Sequence, residues 1–128
     1  GKGFLTGTVD ANREFADGDV RHSIPRFTSE NRLANQALID HVSALASAKG
    51  ATPGQIALAW LLAQQSWIVP IPGTRRIERV EENAAAVDLV LSADDLARIE
   101  AVFPKGAASG HRYAEAARAA ARNISHGD

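Results

Sequence analysis

Apolar positions along the chain fall into short helical stripes separated by breaks. Leu33, Ala37, Leu38, Val42, Leu45 and Ala46 recur at helical spacing, which predicts an amphipathic helix from Arg32 with Gly50 as its stop. Thr52-Pro53-Gly54-Gln55 then reads as a capping box: Thr52 can accept from the Gln55 N–H, Pro53 presets φ, and Gln55 can reach back. The helix this opens, Ile56 to Gln64, is apolar almost all round, so burial on several sides is expected. Trp67 to Ile71 is a β-branched run ended by Pro72 and Gly73, whose length and flanks predict a buried strand. Ile77, Val80 and Ala84 mark another helix, and Ser92 with Asp94 and Asp95 opens the next, with Leu96, Ile99 and Phe103 on its apolar face. Tyr113 to Arg122 predict an alanine-rich terminal helix with a frayed tail from Asn123.

Two stretches carry no sustained period. Residues 8 to 30 mix charge with Gly18, Pro25 and several Asp, Ser and Thr, and read as a long loop; a stretch of that kind is a lid, a binding loop or disordered. Residues 104 to 111 form a Gly/Ala/Ser loop. A single strand among helices cannot complete a sheet, because its N–H and C=O groups need neighbours on both sides. The chain of 128 residues also begins at Gly1 and contains no methionine. Together these features predict a fragment whose missing strands lie upstream.

Composition narrows the class. The hydrophobic fraction is 45% while aromatic residues supply 5%, with alanine making up much of the rest, which favours packed helices over a β-sandwich. A net charge of −1 provides no footprint for nucleic acid or an anionic membrane. No apolar run approaches the roughly 20 residues of a membrane span, no signal peptide opens the chain, and cysteine is absent, a pattern that fits a cytoplasmic location.

The candidate chemistry lies mainly where the strand-like run meets the next helix. In α/β folds ligands sit at the carboxyl ends of strands. Gly73 allows close backbone approach, Thr74 offers a hydroxyl beside a helix start, and Arg75 and Arg76 offer bidentate donors, a set suited to a phosphate monoester. One turn on, Arg79 and Asn83 share a face with Glu82 beside them, where an arginine can flank a phosphate and Asn83 and Glu82 can bond an adenine edge. A plain loop followed by a solvated helix with ordinary Glu/Arg pairing remains open from these residues alone. The opening Gly1-Lys2-Gly3-Phe4-Leu5 can cradle a pyrophosphate on exposed N–H groups, or serve as a flexible turn. The histidines His22, His41, His111 and His126 show no metal-ligand spacing, and no nucleophile constellation is visible.

In their order and spacing these segments resemble the aldo-keto reductase superfamily, in the branch of bacterial and plant proteins that reduce small aldehydes and ketones. The matching stretches are Gly1 to Gly7, Pro25-Arg26-Phe27 with Glu30-Asn31, Thr52 to Gln64, Ile68 to Arg76, Glu81-Glu82-Asn83 and Gly110-His111-Arg112-Tyr113. The resemblance implies the last part of a (β/α)8 TIM barrel. Residues 1–31 would be the loop after strand seven, 32–66 a helical region, 67–71 strand eight, and 75–128 the C-terminal helices and tail. It implies NADP(H) as cofactor, with Gly1, Lys2, Gly3 and Leu5 along the pyrophosphate. Gly73, Thr74 and Arg75 would then surround the 2′-phosphate, and Arg79, Glu82 and Asn83 the adenine end. The family's catalytic Asp, Tyr, Lys and His lie on earlier strands and have no counterpart here; Tyr113 is not the catalytic tyrosine. His111 stands where an acidic residue is common. The resemblance thus implies a reductase of small carbonyl compounds that needs the upstream part of the barrel, and these residues alone are expected to be inactive. Two other readings are a nucleotide-sensing regulatory relative, like channel β-subunits, and an inactive truncated remnant.

Overall fold

A computed structural model describes residues 2–9 and 12–115. Gly1 and most of the predicted terminal helix therefore lie outside the described residues. Among the described residues five α-helices follow one another: α1 (Ser29–Ala34), α2 (Gln36–Ala48), α3 (Pro53–Gln64), α4 (Ile77–Ala84) and α5 (Ala93–Val102). Each of the three best-defined starts has its sequence cause. Thr28 accepts from Asn31 N–H at α1, Thr52 and Gln55 form a reciprocal capping box at α3, and Ser92 and Asp95 do the same at α5.

The helix predicted from Arg32 is two helices. Asn35 separates them while keeping helical dihedrals, and its buried side chain turns away to the chain near residue 109. Register shifts accordingly: Leu33, expected inside, is 68% exposed, whereas Arg32 beside it is buried. The Arg32 guanidinium donates to the Arg13 carbonyl at 2.7 Å and lies 5.2 Å from the Phe15 ring, so a cation takes the inward position that periodicity assigned to leucine.

Residues 8 to 30 are more structured than a loop. They hold two 3-10 turns, Val20–Ser23 and Pro25–Phe27, the first capped by Asp19. Their scattered aromatic and branched residues form a core with the opening turn: Phe4, Val9, Ile24 and Phe27 pack with Ile39 of α2. Phe27 meets Phe4 and Phe15 edge to face, at 6.4 and 5.8 Å between centroids. A second core joins Val42 and Ala46 of α2 to Ile56 of α3, with Ile99 and Phe103 packed against it. Helix α2 runs through both cores. Its C-terminal end is tied to the start of α5 by Lys49, whose ammonium meets Asp95 at 2.7 Å and the Val90 carbonyl at 3.2 Å.

Residues 67–71 form no strand, and no strand occurs among the described residues. Trp67 and Ile71 are 75% and 93% exposed, so this run has the composition of a buried strand without the neighbours that would pair and cover it. The same lack of covering surface explains α3, where only Ile56 and Ala59 are buried, and α4, whose Ile77 and Val80 face outward. No helix of the described residues is long and apolar enough to cross a membrane.

Candidate functional site

The opening turn sets one wall of the site. Lys2 and Gly3 both have positive φ, 48° and 88°, and the turn is closed by Thr6 and Thr8, whose hydroxyls donate to the Gly3 carbonyl at 2.8 and 3.0 Å. Lys2 thus sits in a left-handed conformation that few non-glycine residues adopt, held by hydroxyl contacts rather than by its own preference. Across from it, helix α3 contributes Gly54 and Trp60, and the segment before α4 contributes Pro72 and Gly73. These elements enclose an open groove of about 770 Å³.

Of the residues singled out from sequence, Lys2, Gly3, Leu5, Gly73 and Asn83 line this groove together. Gly1 lies outside the described residues. Thr74 and Arg75 are exposed at the turn beyond Gly73, where the Thr74 hydroxyl accepts the Arg76 N–H at 3.2 Å. Helix α4 starts at Ile77, with no side-chain cap on its first turn. A Cβ at Gly73 would meet nothing within 4 Å, so the space around it is open.

Arg79 and Glu82 are paired with each other across one turn of α4. Glu82 has further partners. Its Oε1 accepts from the Thr52 hydroxyl at 2.7 Å, and its carbonyl accepts from Gln55 Nε2 at 2.9 Å. The Thr52 hydroxyl, with the Arg79 guanidinium, lowers the Glu82 pKa against the opposing cost of burial, so Glu82 holds its negative charge more firmly than an ordinary glutamate. Sequence reasoning read Thr52 and Gln55 only as a helix cap. The signal for a second role was valence: a threonine hydroxyl that accepts an N–H still has a proton to donate, and a glutamine amide has a free NH₂.

Three further features were not anticipated. Arg112, in the tail segment after α5, lines the same groove as Lys2, and Lys2 Nζ lies 5.2 Å from the Tyr113 ring centroid. The Trp60 indole N–H, also at the groove, is buried without a hydrogen-bond partner among the described residues. The third is how the tail is held. Asn35 Nδ2 donates to the Ser109 carbonyl at 3.0 Å while its Oδ1 accepts the Ser109 N–H at 2.7 Å. Arg26 donates through Nε and Nη2 to the Gly110 carbonyl at 3.1 and 3.0 Å, and its N–H bonds the His111 carbonyl. Gly110 adopts φ +80°, and a Cβ there would stand 2.7 Å from Arg26 Cα. The Pro25–Asn31 and Gly110–Tyr113 motifs, far apart in sequence, are therefore one structural unit.

The arrangement is an open groove with small residues and cations on its walls. Comparison with known proteins identifies the family. Residues 1–103 match the model of the aldo/keto reductase family, and the chain belongs to that family. It is 41% identical over 113 residues to the "Aldo-keto reductase yakc [NADP(+)]" of Schizosaccharomyces pombe, covering 88% of this chain and 33% of that protein. It is 32% identical over 114 residues to the "Aldo-keto reductase str7" of Strobilurus tenacellus, covering 89% and 34% respectively. The chain thus spans about a third of the length of these curated relatives. Family membership implies a (β/α)8 barrel, of which the described residues supply helices.

Proposed function

We propose that the protein carrying this chain is an NADP-dependent, cytoplasmic oxidoreductase that reduces small aldehydes or ketones. In this reading the chain forms the last part of the barrel, grips the cofactor and lacks the proton donor, so that alone it does not turn over substrate. The observation that carries the reading is the convergence of Lys2, Gly3, Leu5, Gly73 and Asn83 on one groove beside the Arg79–Glu82 pair. A relative named for NADP(+) supports the choice of nucleotide.

The residues present fit such a cofactor. The groove is roomy, the buried Trp60 donor lacks an acceptor among the described residues, and the open space around Gly73 lets a ligand approach the backbone. Reduced nicotinamide would supply the hydride that passes to the carbonyl carbon. Lys2 and the Gly3 backbone would hold the pyrophosphate, and Thr74 with Arg75 the 2′-phosphate. Glu82, kept ionised by Thr52 and Arg79, would accept from the adenine amino group, with Asn83 bonding the ring edge. Titration with NADPH and NADH tests the nucleotide assignment. A preference for NADPH that Arg75→Ala reduces about tenfold is expected, since a charged hydrogen bond contributes about 1.5–3 kcal/mol. Equal affinity for the two, unchanged by the substitution, would remove the 2′-phosphate site.

A further inference from the structure

We propose that Arg112 is a pyrophosphate-binding residue and that the Arg26–Asn35 clamp on residues 109–111 exists to present it. The inference rests on the nucleotide reading above and extends it to a residue which that reading does not use.

The tail is fastened just ahead of Arg112 by side chains rather than by secondary structure. Asn35 grips both backbone groups of Ser109, and Arg26 grips the Gly110 carbonyl with two donors. Asn35 is nearly fully buried for this purpose, and Gly110 is confined to glycine by both its φ and the closeness of Arg26. Fixing a loop in this way costs conformational entropy, about 1–2 kcal/mol per residue, yet the segment contributes no residue to either apolar core. What it does contribute is Arg112 at the groove wall and Tyr113 under Lys2.

The charges in the groove lining are then two cations, Lys2 and Arg112, and one carboxylate, Glu100 of α5. No ion pair joins Glu100 to either cation among the described residues, and Arg112 has no carboxylate partner there. Two cations facing one groove repel each other unless an anion lies between them. A diphosphate held between them would offset that repulsion, and the guanidinium fork suits its oxygens. Lys2 reaches it from the opening turn and Arg112 from the tail, so the nucleotide would be clasped from both sides.

Equilibrium titration of the protein with NADPH and with NADH, for wild type, Arg112→Ala, Arg112→Lys and Arg75→Ala, tests this directly. Arg112→Ala should weaken both nucleotides by about the same factor, roughly tenfold, because both carry the pyrophosphate. Arg112→Lys should recover part of the loss, and Arg75→Ala should weaken NADPH alone. The melting temperature of Arg112→Ala should match wild type, since the side chain is exposed. Wild-type binding left unchanged by Arg112→Ala would overturn the clasp while sparing the nucleotide reading. A loss confined to NADPH would also overturn it, by moving Arg112 to the 2′-phosphate. Absence of any wild-type binding would overturn both.

Discussion

The two ends of the described chain close on each other, while its middle stays open. Around the opening turn, α1 and the tail, side-chain hydrogen bonds tie distant stretches of chain together: Asn35 with Ser109, Arg26 with Gly110, Arg32 with Arg13. Between α3 and α5 the situation reverses, with Trp67, Val69, Ile71, Ile77, Val80 and Val90 all exposed. The first region is held together by contacts within the chain. The second has the composition of an interior and lacks what would cover it, which is the condition expected of a segment whose partners belong to another part of a larger barrel.

The comparison can be broken most sharply at Gly110. Gly110→Ala places a Cβ at 2.7 Å from both Arg26 Cα and Asn31 Nδ2, in a left-handed conformation. It should destabilise by about 3 kcal/mol in urea unfolding, combining overpacking with the cost of positive φ. A loss under about 0.5 kcal/mol would mean that the tail is not clamped as described.

A second test titrates the link between the regions, Lys49–Asp95. Lys49, followed by the Ser92 backbone and hydroxyl, lowers the Asp95 pKa from 3.8 to about 2. A folded-state pKa below the unfolded value means that this stabilisation is present above pH about 4 and lost as pH falls towards 2. Wild type and Asp95→Asn should therefore differ in unfolding midpoint at pH 6 and converge near pH 2. A difference that is constant across this range would remove the ion pair as its cause.

The smallest effect is expected in the open region. Ile71→Ser should change folding stability by less than about 0.5 kcal/mol, because the side chain is almost wholly solvated here. It should reduce self-association in sedimentation. A large stability loss in a longer protein containing this chain, with none in the chain itself, would sharpen the contrast by locating the missing cover.

The same division decides what could be read from sequence. Helix starts were legible because Thr52, Gln55 and Ser92 act within three residues of their targets. The phosphate-suited glycine at 73 and Asn83 were legible as motifs, and the structure places both on the groove. The strand over 67–71 is not formed here for a physical reason: β-branched composition states a preference, but a strand exists only when a neighbour accepts its hydrogen bonds. The order within residues 8–30 was hidden because its core is aperiodic, with Val9, Ile24 and Phe27 brought together by turns rather than by a repeat. Arg32 and Asn35 were missed because buried polar residues look like surface until their distant partners, at 13 and 109, are known.

The hydroxyl of Thr52 has one proton, and Glu82 holds it while the Gln55 N–H occupies the same oxygen. Positions 52, 55, 79 and 82 thus behave as a single mutational unit. Substitutions among them should combine non-additively, and a change at the helix cap should be felt as altered specificity rather than as lost stability alone. For anyone re-engineering nucleotide preference in this chain, the first residue to leave alone is a threonine that touches no nucleotide in the reading proposed above.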